Sequence, residues 1–414
     1  MLKAIFGCLS LVICVGQFAN GQTQILGFSM PPGVEKVEIP IEVHNNLVVV
    51  PVIINNQLPL KFIIDTGVRT AILTEKVYSD ILNLSYSRKY TLSGPGGQKL
   101  VDAYITSNVT LDMPGIHGEG HSLLVLDEDY LELKNSMGTE VHGILGYELF
   151  SRFVVKVDYS NKRLTLMLPG GFHPRKKYDV IPITVEDTKP FVQAKVQISD
   201  TTTINGKFLV DSGASHGLLL ETLSDPRIVV PTKNIDAILG RGIGGVLRGK
   251  IARIRSFTLG KSKTTDLITH FPDDYAYSDS LRKGRFTFRN GSIGGEILSR
   301  FTVIFDFPNE KLYLKKNSSF KKKYYYNLSG LTVRATGIRL QTYEISDVRD
   351  NTNAQRAGLL RGDEIVAING VSVIGYELNN INDFLNSKPG KKIRVEVKRK
   401  GEKIKKTFVL ESQI

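Results

Sequence analysis

Cysteine is almost absent from this chain. Of 414 residues two are cysteines, Cys8 and Cys14, and both lie in the opening stretch MLKAIFGCLSLVICVGQFANGQTQ. That stretch has the layout of a secretory signal: Lys3 as a positive flank, an apolar run from Ala4 to Val15 that is short for a permanent span, then the small residues Ala19 and Gly21. Cleavage after Gly21 is expected, with residues 1–21 as the signal peptide. Ile13 ahead of Cys14 does not suit a lipoprotein signal. The mature chain would then hold no thiol, which excludes cysteine catalysis and disulfides and suits an oxidising compartment. The expected location is therefore exported: periplasmic, envelope-associated or secreted. No later run is apolar enough to cross a membrane, so no transmembrane span is expected in the mature chain. Nucleic-acid motifs are missing too. The net charge of +13 and the clusters Lys315-Lys316 and Lys321-Lys322-Lys323 are read as solvated positive charge, and no nucleic-acid partner is expected. Metal spacing is also lacking. His117 and His121 in HGEGH stand four apart, but the intervening glycines disfavour the helix that would make them a ligand pair. No metal and no cofactor are expected.

What the sequence does have is a repeat. FIIDTG (Phe62 to Gly67) returns as FLVDSG (Phe208 to Gly213), placing Asp65 and Asp211 146 residues apart. A Gly-rich stretch from Gly94 returns from Gly242, and the segment 142–166 shares 11 of 25 residues, without a gap, with 290–314, both at an offset of 148. Two homologous units follow, 37–168 and 178–315. Each reads as short apolar or β-branched runs between Gly, Pro and Asn, so mainly β structure is expected, with brief helices near Glu75 to Leu82 and Tyr147 to Ser151.

The repeat separates two overlapping motifs. Gly213-Ala214-Ser215-His216-Gly217 spells the G-x-S-x-G elbow of serine hydrolases, whereas Asp211-Ser212-Gly213 spells an aspartate loop. Only the aspartate loop is present in both units, because the first reads DTGVRTAIL. The elbow also needs a parallel α/β sheet, and the single downstream histidine, His270, is expected in a polar loop. A two-carboxylate glycosidase needs acids set further apart and leaves the paired Asp-Thr/Ser-Gly loops without a purpose.

On these loops the chain resembles the pepsin/retropepsin superfamily of aspartic peptidases. The resemblance implies two pseudo-symmetric β lobes that bring Asp65 and Asp211 together as a catalytic dyad around one water. It also implies that Thr66 and Ser212 cross-brace the loops and that Gly67 and Gly213 allow close backbone approach. One chain carries both aspartates, so a monomer suffices for the pair. The Gly-rich stretches, with Gly94, Gly96 and Gly97 in the first and Gly242, Gly244 and Gly245 in the second, correspond to flaps over a peptide substrate. Val68 and Ala214 stand where relatives often carry a hydroxyl or alanine. The loss of that hydrogen bond predicts a pH optimum less acidic than pepsin's. Arg69 is a further departure, expected to pair with a neighbouring carboxylate or an acidic substrate group.

Beyond a linker at 316–325, residues 326–412 resemble a PDZ domain of the bacterial protease-associated type. The resemblance rests on Leu328-Ser329-Gly330-Leu331 as the carboxylate loop and on AQRAGLLRGDEIVAING (Ala354 to Gly370). It implies that a peptide or protein terminus adds to the edge formed by Leu331, Thr332 and Val333. The expectation is an exported aspartic endopeptidase with a peptide-binding module. The alternative is a catalytically silent peptide-binding protein on the same scaffold.

Overall fold

The computed structural model describes residues 26–96, 100–274 and 287–414. The expected signal segment 1–21 and Gly97 lie outside them.

Strands dominate, and the two repeats pair their strands in the same way. In the first, Leu47–Ile54 and Leu58–Ile64 form an antiparallel pair, and Gly143–Leu145 runs parallel to the latter with Gly143 opposite Phe62. Gly143–Leu145 is also antiparallel to Ala71–Leu73, which lies parallel to His121–Leu126. In the second, Gly291–Ile293 runs parallel to Thr203–Val210 with Gly291 opposite Phe208, and antiparallel to Leu218–Leu220. Leu218–Leu220 in turn lies parallel to Ser262–Pro272. Parallel neighbours bury both faces of a strand, which is why FII and FLV are uninterrupted apolar runs. Asn45–Asn46 and Asp187–Thr188 close two-residue hairpins with both φ angles positive, 47° and 66° in the first and 46° and 68° in the second.

The repeats join through one sheet. Val154–Asp158 of the first pairs antiparallel with Phe301–Asp306 of the second, and Lys156 faces Ile304, its counterpart 148 residues on. Arg163–Met167 and Lys36–Pro40 extend the sheet on one side, Lys311–Lys316 and Asp179–Glu186 on the other. Phe150 packs on it edge-on to Phe305 and stacked with Phe307, at centroid distances of 5.4 and 5.2 Å. The short helices fall at Lys76–Ile81 and Tyr147–Arg152, within a residue of expectation. His270 is a correction. It lies buried within the strand Ser262–Pro272 rather than in a polar loop, because its neighbours Ile268 and Phe271 are core residues.

The carboxy-terminal sheet runs in the order Leu331–Thr336, Thr342–Val348, Glu364–Ile368, Lys392–Arg399, Glu402–Val409, with Leu331–Thr336 at its edge. The helix Leu378–Leu385 buries Leu378, Ile381 and Leu385 against it, at the i, i+3, i+7 spacing of an amphipathic helix. This unit has its own core, from Leu328 to Leu410. In the segment joining it to the rest, Lys321, Lys322 and Lys323 are exposed as expected, but the aromatic residues are not. Phe320 packs edge-on against Phe301, and Tyr324 is buried beneath the Arg300 guanidinium, 3.3 Å from its ring centroid.

Candidate active site

Each repeat delivers its aspartate the same way. The apolar strands Leu58–Ile64 and Thr203–Val210 end one residue before Asp65 and Asp211. The Asp65 amide then donates to Leu145 O at 2.8 Å and the Asp211 amide to Ile293 O at 2.9 Å, fixing both loops to the neighbouring strand.

The two loops are laced together through the residues that follow the aspartates. The Thr66 hydroxyl donates to Val210 O at 2.6 Å and accepts from the Ser212 amide at 3.0 Å. Ser212 reciprocates, donating from its hydroxyl to Ile64 O at 2.9 Å and accepting from the Thr66 amide at 3.1 Å. Both hydroxyl residues are buried. Thus the four partners are satisfied only while the loops face each other.

This brings Asp65 and Asp211 to one point, half-buried. The Gly67 amide donates to Asp65 Oδ1 at 2.6 Å. The Gly213 amide donates to Asp211 Oδ1 at 3.1 Å and also serves Asp65. Glycine is required here by space: a Cβ on Gly213 would fall 2.1 Å from the Asp65 Cγ, and one on Gly67 3.1 Å from Asp65 Oδ1 and 3.6 Å from Asp211 Oδ1. Loss of water and then the repulsion of Asp211 push the Asp65 carboxyl up to about 8. Burial also raises Asp211, against the opposing pull of Arg289 and of the Gly213 and Ala214 amides. Two like charges this close resist joint ionisation, so the arrangement holds a proton in the pair near neutrality.

The Gly-rich hairpins meet tip to tip. The Gly244 amide donates to Pro95 O at 3.0 Å. A Cβ on Gly96 would lie 2.0 Å from Gly245 O, one on Gly242 2.3 Å from Pro95 O, and one on Gly94 3.2 Å from Ile243 Cβ. Gly96 and Gly245 have φ of 108° and 122°, angles few other residues adopt. Ile243 at the second tip belongs to one apolar cluster with Val68, three residues past Asp65, and with Leu133.

Several contributors carry no local motif. Lys189, beside the Asp187–Thr188 turn, pulls both aspartates down electrostatically, and Arg289 does the same for Asp211. Asn46 Nδ2 donates to Ser215 O at 3.4 Å, tying the Asn45–Asn46 turn to the Asp211 loop. Arg69 is exposed and lies 3.8 Å from Asp187 Oδ1, a long surface pair of little energetic weight. Ser215, the elbow serine, is exposed.

In the carboxy-terminal unit the expected carboxylate loop is satisfied from within. The Gly330 amide, at φ 78°, donates to Asn327 O and Oδ1 at 3.1 and 2.9 Å, and the Leu331 amide to Ser329 Oγ at 3.2 Å. The Leu328 amide donates to Asn386 Oδ1 at 2.8 Å. Val333 is buried and Thr332 exposed on the edge strand.

Against known families, residues 50–149 match the model for aspartyl protease, and residues 344–399 match the model for the PDZ domain. The chain carries an aspartyl protease domain and a PDZ domain. Together they support a protease with a peptide-binding module. A protein of Agrobacterium fabrum whose name describes a zinc metalloprotease is 37% identical over 65 residues, 16% of this chain and 17% of that relative. The chain thus spans about a sixth of the curated relative it matches. Among the described residues, no group of three or more His, Cys, Asp or Glu could hold a metal ion. Nor is any helix among them long and apolar enough to cross a membrane.

Proposed function

We propose that the protein is an exported, aspartic-type endopeptidase in which Asp65 and Asp211 act as one dyad. The reading extends the matched aspartyl protease domain to the second repeat, whose Asp211 loop lies outside the matched residues. One observation carries it: the reciprocal hydrogen bonds of Thr66 and Ser212 hold the two carboxyls around the Gly213 amide. In this scheme a water lies between the carboxyls. The ionised member takes its proton as the oxygen attacks the peptide carbonyl, and the neutral member donates to that carbonyl oxygen. The first carboxyl then passes its proton to the leaving amine as the C–N bond breaks, and the second takes its proton back from the hydroxyl that re-forms the carbonyl. The two lobes correspond to the two repeats, the Gly-rich tips close over the substrate, and the PDZ domain, over 326–412, takes a peptide terminus at its sheet edge. Export rests on the signal-like opening.

The test is cleavage of a mixed peptide pool by the full chain over a range of pH. Asp65→Asn and Asp211→Asn should each lower the rate by about 10²–10⁴-fold, and a statine-type inhibitor should block what remains. Cleavage indifferent to both substitutions removes the dyad. Pool binding without cleavage at any pH favours a silent peptide-binding protein.

A further inference from the structure

The groove of the PDZ unit is already covered. Its walls are the edge strand Leu331–Thr336 and the helix Leu378–Leu385, and the segment 133–138 of the protease domain sits against both. Asn135 Nδ2 donates to Ala335 O at 2.8 Å, occupying an outward carbonyl of the edge that an added peptide strand would use. Gly138 lies against the other wall so tightly that a Cβ on it would fall 2.4 Å from Leu378 Cβ. Next to it Asn379 Nδ2 approaches Val43 O at 3.4 Å and His44 Nδ1 at 3.3 Å. The loop that would receive a terminal carboxylate has the amides of Gly330 and Leu331 bonded internally.

The covering segment also touches the machinery around the aspartates. Asn45 Nδ2 donates to Ser136 O at 2.8 Å, and its neighbour Asn46 reaches Ser215 O on the Asp211 loop. Immediately before the segment, Glu132 Oε1 lies 3.2 Å from Arg241 Nη2, on the strand leading to the second tip. Leu133 shares its apolar cluster with Ile243 of that tip. Helix Leu133–Met137 therefore stands between the PDZ groove and the hairpin tips, with Asn135 bonded to the first and Glu132, just before the helix, paired with the strand leading to the second tip.

We propose that this groove is held shut in cis by residues 133–138, and that a peptide entering it must displace that segment, releasing the Glu132–Arg241 clamp on the hairpin tip and raising the cleavage rate. The proposal rests on the peptide-binding and protease readings above. The class of ligand is an extended peptide able to pair with the edge strand, and no chemical step beyond peptide hydrolysis is involved.

Binding and cleavage are read separately. In an Asp65→Asn background, which leaves the groove intact, a pool of fluorescein-labelled decapeptides randomised at the last four positions is titrated into the full chain. The same titration is made with Asn135→Asp, which turns a carboxylate toward Ala335 O, and with Asn379→Ala. Both changes should tighten binding roughly 3–10-fold, the effect of removing one competing hydrogen bond. The pool should speed amide exchange over 133–138 in the otherwise unaltered chain. With both aspartates present, the unlabelled pool should raise cleavage of a reporter peptide several-fold, and Asn135→Asp should show that higher rate without it. Equal affinity in all three proteins, with unchanged exchange, overturns the closed groove while leaving peptide binding intact. Tighter binding with an unmoved cleavage rate overturns the link to the tips. No binding by any of the three removes the peptide-binding reading and the proposal with it.

Discussion

At the residue scale the aspartates are governed by two separate devices, a mechanical brace and an electrostatic coupling. The brace is Thr66 and Ser212. Replacing Ser212 by Ala strips the donor from Ile64 O and the acceptor from the Thr66 amide, both in a buried place. The expected destabilisation is about 1–3 kcal/mol, read as a lower denaturant midpoint, together with a fall in cleavage as the loops lose register. Thr66→Val should behave alike, and the double variant should fall short of the sum because both belong to one network. The coupling makes the opposite stability prediction for Asp65. Its folded-state value, raised to about 8, means that between the ordinary aspartate value and pH 8 the folded form binds more protons than the unfolded one. Stability then declines as pH rises through that interval. Asp65→Asn removes this cost while sharply slowing cleavage, so it should raise the melting temperature at pH 7 and leave it nearly unchanged at pH 3. An equal shift at both pH values contradicts the raised carboxyl.

At the element scale, the hairpin tips matter more than their strands. Gly96 and Gly245 combine positive φ with backbone-to-backbone approach, so Gly96→Val meets both strain and the Gly245 carbonyl at once. The tips lie at the ends of their hairpins, outside the main apolar cluster. The expected outcome is therefore a large loss in kcat/KM with a melting temperature close to the parent's. If instead Gly96→Val cleaves normally, the tips do not need to meet over the substrate. How much of this was legible differs by element. The aspartate loops, the Gly-rich hairpins and the matched segments 142–166 and 290–314 could be found in sequence because each is a local string that occurs twice at a nearly constant offset. The tip-to-tip contact could not, because it depends on how two separate hairpins converge. His270 was misplaced for a related reason: a histidine amid Thr269 and Pro272 looks polar, and only the pairing of Ser262–Pro272 with Gly245–Leu259 shows it to be inside. The cover over the PDZ groove is made by Asn135 and Gly138 from another domain, and nothing in residues 326–412 announces it.

At the scale of the whole molecule, the question is at what pH these parts work together. His216 follows the Asp211 loop and His270 lies behind it, their ring centroids 5.7 Å apart, and each has a buried Nδ1 with no hydrogen-bond partner. Burial, with His270 and Arg289 adding positive charge, pulls His216 down to about 3, and burial pulls His270 down to about 4. Both are neutral in the fold. Below the ordinary histidine value the unfolded chain takes up protons that the folded one refuses, so stability is lost as pH falls from about 6.5 toward 4. The aspartate pair sets the other side, since above about 8 it loses its shared proton and with it the acid needed for carbonyl protonation. Cleavage should therefore fade above pH 8 and peak nearer neutrality than the strongly acid range, with the two neutral histidines lowering stability on the acid side. Urea titrations at pH 5 and pH 7 separate this contribution from the opposite one of Asp65 when the parent is compared with His216→Gln plus His270→Phe: the double replacement should raise the midpoint at pH 5 relative to that at pH 7, changing the gap between them. A gap untouched by the double replacement assigns acid sensitivity to other groups, and a cleavage maximum at strongly acid pH with the fold intact contradicts both ends of this window.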